Sequence, residues 1–301
     1  MSLSPTTMPF DTIDGLELHA DVYAPPRAAD TGVLVWLHGG ALSLGHRSAV
    51  PSFVLDAAEA HGFLVVSPDY RLAPHVGLEA ILRDVHTAVS WTRQHATARG
   101  HDAARLMIAG ESAGGYLSLA TATSSDACAV VSFYGYGTLD SPWYLEPYEH
   151  YRHAHPLITE SEAFAVVGTD VTTDGRDPSD RYKFYLYCRQ AGRWPELTAG
   201  FDRVAERDCL RASSPAYAIS GAHPPALLIH GAIDSDVPVA ESIAYAALLD
   251  LHRVDHELMV LEGVDHGFVG PPGPVPPPPP EAIAPALERA ESFMNVHLGP
   301  R

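Results

Sequence analysis

The residues in this chain whose types and spacing allow chemistry are a serine, two aspartates and a histidine, each just after an apolar run. Ser112 stands in Gly110-Glu-Ser-Ala-Gly-Gly115, between the run Leu106–Ala109 and the helical pattern Tyr116–Ala122. A serine fenced by glycines at a sharp strand-to-helix turn exposes its Oγ, because no Cβ crowds the junction. The N–H groups that open the following helix favour negative charge at the same spot. Taken alone, the stretch is also compatible with a plain junction and a capping serine. A serine hydroxyl is a weak nucleophile at neutral pH. It needs a base to take its proton, and the base needs an acid to orient it. His266, in Glu262-Gly-Val-Asp-His-Gly-Phe268, supplies the base. Asp234 or Asp236, in His230-Gly-Ala-Ile-Asp-Ser-Asp-Val-Pro238, supplies the acid. A developing oxyanion needs donors, and the turn His38-Gly-Gly-Ala-Leu42 offers the backbone N–H groups of Gly40 and Ala41, with that of Ala113 as a third. Losing one such donor typically costs about 3 kcal/mol of transition-state stabilisation.

These residues must be brought together by the elements between them. Alternation over residues 9–24, turning at Asp14-Gly15, predicts a β-hairpin. Apolar runs at 32–37, 62–67, 105–109, 128–134, 225–230 and 256–261 predict buried strands. Helical spacing predicts helices over 48–61, 78–97, 112–124, 239–251 and 281–298. Strands alternating with helices make a doubly wound, mostly parallel sheet. In such a sheet the loops at the carboxyl ends of the strands converge on one side, which is where the serine, the aspartates and the histidine fall. Residues 138–215 hold no clean strand, and about half of the chain's aromatic residues lie between Phe133 and Phe201. A structureless loop of that length does not suit a compact domain, so the segment predicts an inserted, mostly helical cap. Residues 1–137 and 216–301 then form the core. The proline run at 271–280 predicts a stiff polyproline II spacer rather than a ligand for a proline-binding partner, since it lies just before the last helix.

A net charge of −18 argues against nucleic acid or an anionic membrane as a partner. Cys128, Cys188 and Cys209 show no C-x-x-C spacing, and with the odd count they read as free thiols. Residues 1–8 have neither a basic nor an apolar signal region, and no apolar run is long enough to span a bilayer. The expected location is the cytoplasm.

The motifs "HGGA", "DYRLAP" (Asp69 to Pro74), "GESAGG", "HGAIDSDVP" and "DHGF" follow one another in an order that resembles the hormone-sensitive-lipase-like branch of the α/β-hydrolase esterases. The resemblance covers about residues 10–298. It implies an α/β-hydrolase fold, Ser112 as nucleophile, His266 as general base and acid, and no cofactor. It also selects Asp234 as the orienting acid, three residues after the glycine and ahead of Val-Pro. The reaction implied is hydrolysis of short to medium chain carboxylic esters through an acyl-enzyme. The same site on this fold also suits an amidase or peptidase, an acyltransferase, or a dehydratase-like enzyme. A non-catalytic binding protein of this family would lack a working histidine, and this chain has one. Three departures from the family pattern are the alanine at 41, where a third glycine is common, the hairpin that starts almost at once where an N-terminal cap is common, so that 138–215 is expected to serve as lid, and the proline spacer after the histidine loop.

The other polar residues near the motifs have plainer readings. Asp236 reads as a turn or cap residue for the helix starting near Val239. Asp265 points away from the imidazole of its neighbour. His38, Asp69, Arg71 and Glu111 read as structural supports of the oxyanion turn and the nucleophile. His150, His153 and His155 lack the carboxylates or cysteines of a metal site, so no metal is expected. Part of the aromatic set must pack the cap itself, and some of Tyr144, Tyr148, Tyr182, Tyr185 and Trp194 are expected to face a pocket. A histidine base should titrate near its ordinary value of about 6.5.

Overall fold

Asp14 and Gly15, at φ 51° and 85°, take the left-handed backbone that a two-residue hairpin turn requires. They join β1 (Thr6–Ile13) to β2 (Leu16–Tyr23) in an antiparallel pair. The computed structural model describes residues 3–26, 30–176, 178–270 and 277–300. After the hairpin come β3 (Val33–Leu37), α1 (Ser52–His61), β4 (Leu64–Pro68), α2 (Leu78–Ala98), β5 (Leu106–Glu111), α3 (Ala113–Ala122) and β6 (Ala129–Phe133). The chain ends with β7 (Ala226–Gly231), a helix at Ala240–Leu251, β8 (His256–Leu261) and a helix at Pro280–Leu298. The eight strands form one sheet in the order β1-β2-β4-β3-β5-β6-β7-β8. β2 meets β4 antiparallel, and every pairing from β4 to β8 is parallel. The fold is that of an α/β hydrolase.

Side chains on the strands alternate between two apolar layers. Val33, Val35 and Leu37 of β3 face the layer that also takes α2 and α3, while Leu34 and Trp36 face the one that takes α1 and Pro280–Leu298. Several boundaries differ from the sequence reading for local reasons. α1 starts at Ser52 rather than 48, because Pro51 is its N-cap in extended backbone and Val50, before a proline, is pushed from the helical region. α3 starts at Ala113, because Ser112 leaves helical geometry altogether. Of the proline run, 271–276 lies outside the described residues, Pro279 caps the last helix and Pro280 opens it.

Between β6 and β7 lie α4 (Pro142–Leu145), α5 (Glu149–Ala154), α6 (Glu160–Ala165), α7 (Pro178–Ala191), a π turn at Pro195–Ala199, α8 (Arg207–Ala212) and a 3₁₀ turn at Pro215–Ala218. With these named, the helices at Ala240–Leu251 and Pro280–Leu298 are α9 and α10. The apolar side chains of the insertion do not form a satellite cluster. Tyr144, Phe184, Trp194 and Leu210 belong to the same buried layer as Val35 and Ile108. Arg181 of α7 is buried and donates to three carbonyls: Ser43 at 2.8 Å, Ala73 at 2.7 Å and Val167 at 3.2 Å. The first two belong to loops of the core, so α7 is tied to the segment that follows β3. No helix among the described residues is long and apolar enough to cross a membrane.

Candidate active site

Ser112 occupies φ 55°, ψ −120°, a region that a residue with a side chain enters only where its surroundings hold it. Its N–H donates to Phe133 O at 2.9 Å. The flanking glycines make the turn possible. A Cβ on Gly114 would stand 2.0 Å from Leu37 O, and one on Gly110 would stand 2.5 Å from the same oxygen. β3, β5 and the start of α3 therefore close on one another only because these positions carry no side chain.

Ser112 Oγ lies 3.0 Å from His266 Nε2, and His266 Nδ1 lies 2.7 Å from Asp234 Oδ2. A carboxylate only accepts, so Nδ1 carries the proton and Nε2 is the acceptor that faces the serine. Asp234 is fully engaged. Its Oδ1 accepts from the N–H groups of Asp236 at 2.9 Å and Val237 at 2.8 Å, and its Oδ2 also meets His230 Nε2 at 3.2 Å. His230 donates from the same Nε2 to Val237 O at 3.0 Å and accepts at Nδ1 from Ser242 Oγ at 2.7 Å. Burial disfavours charge on Asp234, but His266 and His230 outweigh it and hold the carboxyl well below the usual range. Burial also opposes charge on His266, yet Asp234, then Asp236 and Glu111, raise its pKa to about 9. That is above the ordinary value expected from sequence. His230 carries one signal in the sequence, a histidine ending an apolar strand four residues before Asp234.

The residues read as supports take up defined places. Asp265 Oδ1 accepts from Ser235 N–H and from His266 N–H, both at 2.7 Å, and so joins the acid loop to the histidine loop. Glu111 Oε1 accepts from Gly39 N–H at 2.7 Å. Glu111 also bonds Tyr134, whose Oη accepts from Val269 and Gly270 N–H at 3.2 and 3.1 Å. One buried carboxyl thereby braces the turn at Gly39–Leu42, the end of β5 and the loop after His266. Burial raises its pKa against the opposing charge of His266. His38 stacks on Tyr70 with ring centroids 4.2 Å apart and bonds Gly39 O at 2.8 Å; burial lowers its pKa to about 4, which keeps it neutral. Asp69 accepts from Arg47 at 2.8 Å, whereas Arg71 pairs with Asp84 of α2 at 2.7 Å rather than with the oxyanion turn. In that turn Gly40, Ala41 and Leu42 have φ of 105°, 53° and 64°. Ala113 is the first residue of α3, directly behind the serine.

A cavity of about 680 Å³ opens beside Ser112 and His266, with Gly40 and Ala41 in its wall. This is within the usual range for a small-molecule site. Two of the five candidate aromatic residues, Tyr182 and Tyr185, line it together with Tyr151, His150 and His155. The other three, Tyr144, Tyr148 and Trp194, are placed elsewhere. Tyr144 and Trp194 stack on each other 4.2 Å apart in the core, and the Tyr148 ring lies 4.7 Å from the Arg189 guanidinium. The reason is Arg189, a buried cation ringed by Trp143, Tyr148, Tyr151, Tyr185 and Trp194 at 4.7 to 5.8 Å. The rings that the sequence suggests for a pocket wall largely serve this cation. Asp236 does not take the cap role expected of it. It makes no cap for α9, whose N-cap Val239 has no side-chain bond. Its Oδ1 instead accepts from Tyr185 Oη and, at 2.7 Å, from Arg189 Nη1, and the residue lines the cavity. His153 is exposed, and among the described residues no three His, Cys, Asp or Glu side chains are grouped to hold a metal.

The profile of the BD-FAE family matches residues 20–249. Esterase LipC of Mycobacterium tuberculosis is 30% identical over 240 residues, 78% of this chain and 53% of LipC, so the chain spans about half of that relative's length. An alpha/beta hydrolase superfamily protein from Enterococcus faecalis has a similar structure, with a TM-score of 0.75 at 20% identity over 97% of this chain and 98% of that one. Esterase 2 of Thermogutta terrifontis, solved with propionate bound, has a TM-score of 0.69 at 21% identity over 99% and 97% of the two chains. A profile that matches from β2 into α9, on a sheet of this topology and with motifs in this order, settles the relationship: the chain belongs to the BD-FAE family of α/β-hydrolase esterases.

Proposed function

We propose that this protein is a serine carboxylesterase. The observation that carries the reading is the line Ser112 Oγ–His266 Nε2, His266 Nδ1–Asp234 Oδ2, with contacts of 3.0 and 2.7 Å, beside an open cavity. Ser112 Oγ attacks the ester carbonyl carbon while His266 Nε2 takes its proton. The imidazolium then passes that proton to the alcohol oxygen as the ester C–O bond breaks, leaving an acyl group on Ser112. Water repeats the sequence and releases the acid. Asp234 keeps the imidazole in the Nδ1–H tautomer and balances its charge. The N–H groups of Gly40, Ala41 and Ala113 form the oxyanion hole, and residues 138–215 act as the lid that bounds the acyl pocket. A short to medium acyl chain is the substrate class, with no metal or cofactor in the chemistry. The family relationship and the esterases among the relatives support the reaction type. The free cysteines suit the cytoplasm.

The test is hydrolysis of p-nitrophenyl esters from acetate to decanoate by the wild type and by Ser112→Ala. Turnover that is greatest at short chains and abolished in a folded Ser112→Ala supports the proposal. Wild-type turnover that survives Ser112→Ala excludes Ser112 as the nucleophile.

A further inference from the structure

Asp236 holds a second carboxylate against the imidazole. Its Oδ2 lies 3.7 Å from His266 Nε2, the nitrogen that faces Ser112 Oγ, whereas Asp234 serves the opposite nitrogen. Asp236 cannot easily turn away. Its Oδ1 is occupied by Tyr185 Oη and Arg189 Nη1, and Arg189 Nη2 donates to its backbone carbonyl at 3.1 Å. Arg189 is itself 1% exposed. The clamp leaves Oδ2 as a fixed acceptor on the cavity wall, and both His266 and Asp236 retain some exposure there, 13% and 16% of their side chains.

Two acceptors 3.7 Å apart suit a molecule that offers two protons from one oxygen. A water at ordinary hydrogen-bond distance, about 2.8 Å from each, subtends about 80° at its oxygen, close enough to its own bond angle for both bonds to form. An alcohol oxygen has only one proton to give. We propose that Asp236 is a second catalytic acceptor specific to deacylation, which orients the hydrolytic water by taking its second hydrogen bond. This rests on the esterase reading above. In the step, the water oxygen bonds to the acyl carbon and one of its protons passes to His266 Nε2. The C–Oγ bond then breaks, that proton returns to Ser112 Oγ, and the second proton leaves on the carboxylic acid product. During that step the second proton points at Asp236 Oδ2. In acylation the alcohol oxygen occupies the same side of Nε2 but bears carbon where water bears hydrogen, so Asp236 has nothing to accept.

The consequence is a partition between acyl acceptors. Wild type and Asp236→Asn are given p-nitrophenyl acetate in water containing methanol, and the yields of acetic acid and methyl acetate are measured. In the variant the amide oxygen takes the Oδ1 place, because Tyr185 and Arg189 both donate there. The NH₂ group then replaces Oδ2 and turns an acceptor into a donor. Loss of a hydrogen bond to a charged group predicts hydrolysis slower by about tenfold. The loss of charge beside His266 acts on water and methanol alike and cancels in their partition, so the ester-to-acid ratio should rise by about the same factor. A merely structural role would slow both products alike, and a ratio within twofold of wild type overturns the proposal. If Asp236→Asn does not fold, Tyr185→Phe, which keeps the carboxylate but loosens its clamp, must move the ratio in the same direction by a smaller factor; an unchanged ratio there overturns it too. A wild type that releases no p-nitrophenol overturns the esterase reading and this inference with it. Normal wild-type turnover with an unchanged ratio in the variant overturns this inference alone.

Discussion

The substitution Asp234→Asn isolates what the acid does, because it keeps the shape and changes only the oxygen that meets histidine. Oδ1 takes two backbone N–H groups, from Asp236 and Val237, that have no freedom to turn. The amide oxygen must take that place, which puts the NH₂ group at the Oδ2 position, 2.7 Å from His266 Nδ1 and 3.2 Å from His230 Nε2. Both nitrogens currently donate there. His266 escapes the clash by moving its proton to Nε2, and an Nε2–H imidazole cannot accept from Ser112. His230 has no such escape at low cost, since Val237 O holds its Nε2–H. The wrong tautomer typically costs a serine hydrolase about 10⁴-fold in kcat, or about 5 kcal/mol at 1.36 kcal/mol per decade. The assay is kcat/KM on p-nitrophenyl acetate at the optimum pH, with circular dichroism to show that the variant is folded. KM should change little, because the loss is confined to the transition state. A folded Asp234→Asn within tenfold of wild type would refute the reasoning and remove Asp234 from the catalytic group.

Four further outcomes follow from particular contacts. His266 must be neutral to act as base, and Asp234, Asp236 and Glu111 favour its charged form against burial, so kcat/KM should fall as pH drops through a value above 6.5 and toward 9; an acid limb at or below 6.5 would show that burial prevails. The same raised pKa means that protonated His266 favours the folded state fully below about pH 6.5, with that contribution fading as pH rises through the folded value, which a pH series of thermal melts detects. Arg181→Met leaves the carbonyls of Ser43, Ala73 and Val167 without their donor and should destabilise the protein by about 2–4 kcal/mol in denaturant melts, whereas a loss below 0.5 kcal/mol on the same approximate scale would mean water takes over. Ala41→Gly removes a left-handed strain of about 1–2 kcal/mol and adds about 0.5–1 kcal/mol of unfolded-chain entropy, so stability should rise slightly with kcat nearly unchanged; a clear loss of stability would show that the buried methyl group matters more than its backbone.

What could be read from sequence was what is encoded by neighbours. The glycines around Ser112 are legible because the clash they avoid is set within one strand-to-helix turn and by the strand beside it. The strand runs are legible because both faces of a parallel strand are buried, as all five residues of β3, β4 and β6 are. Asp236 was not legible. Two residues from the acid, it looks like a turn residue, and the groups that give it another role, Tyr185 and Arg189, lie about fifty positions earlier in a segment without a motif. Which aromatic residues of that segment face the cavity was not legible for the same reason. An aromatic ring beside a cavity and one beside a buried guanidinium have the same composition signature, and only the position of Arg189 separates them.

The two buried arginines of α7 also explain why the insertion shares a core with the sheet. Arg181 reaches the carbonyl of Ser43, just past the oxyanion turn, and Arg189 reaches the carboxylate of Asp236, just past the acid. They lie eight residues apart, close to two helical turns, so one face of one helix fixes the loops on both sides of the serine. A guanidinium left in an apolar layer without its acceptors is costly. Swinging α7 away would strand both at once, along with the Gly45–Gly175 bridge beside them. On the proposed function, the lid formed by residues 138–215 therefore acts as a fixed wall, and the size of the cavity it bounds limits the acyl group.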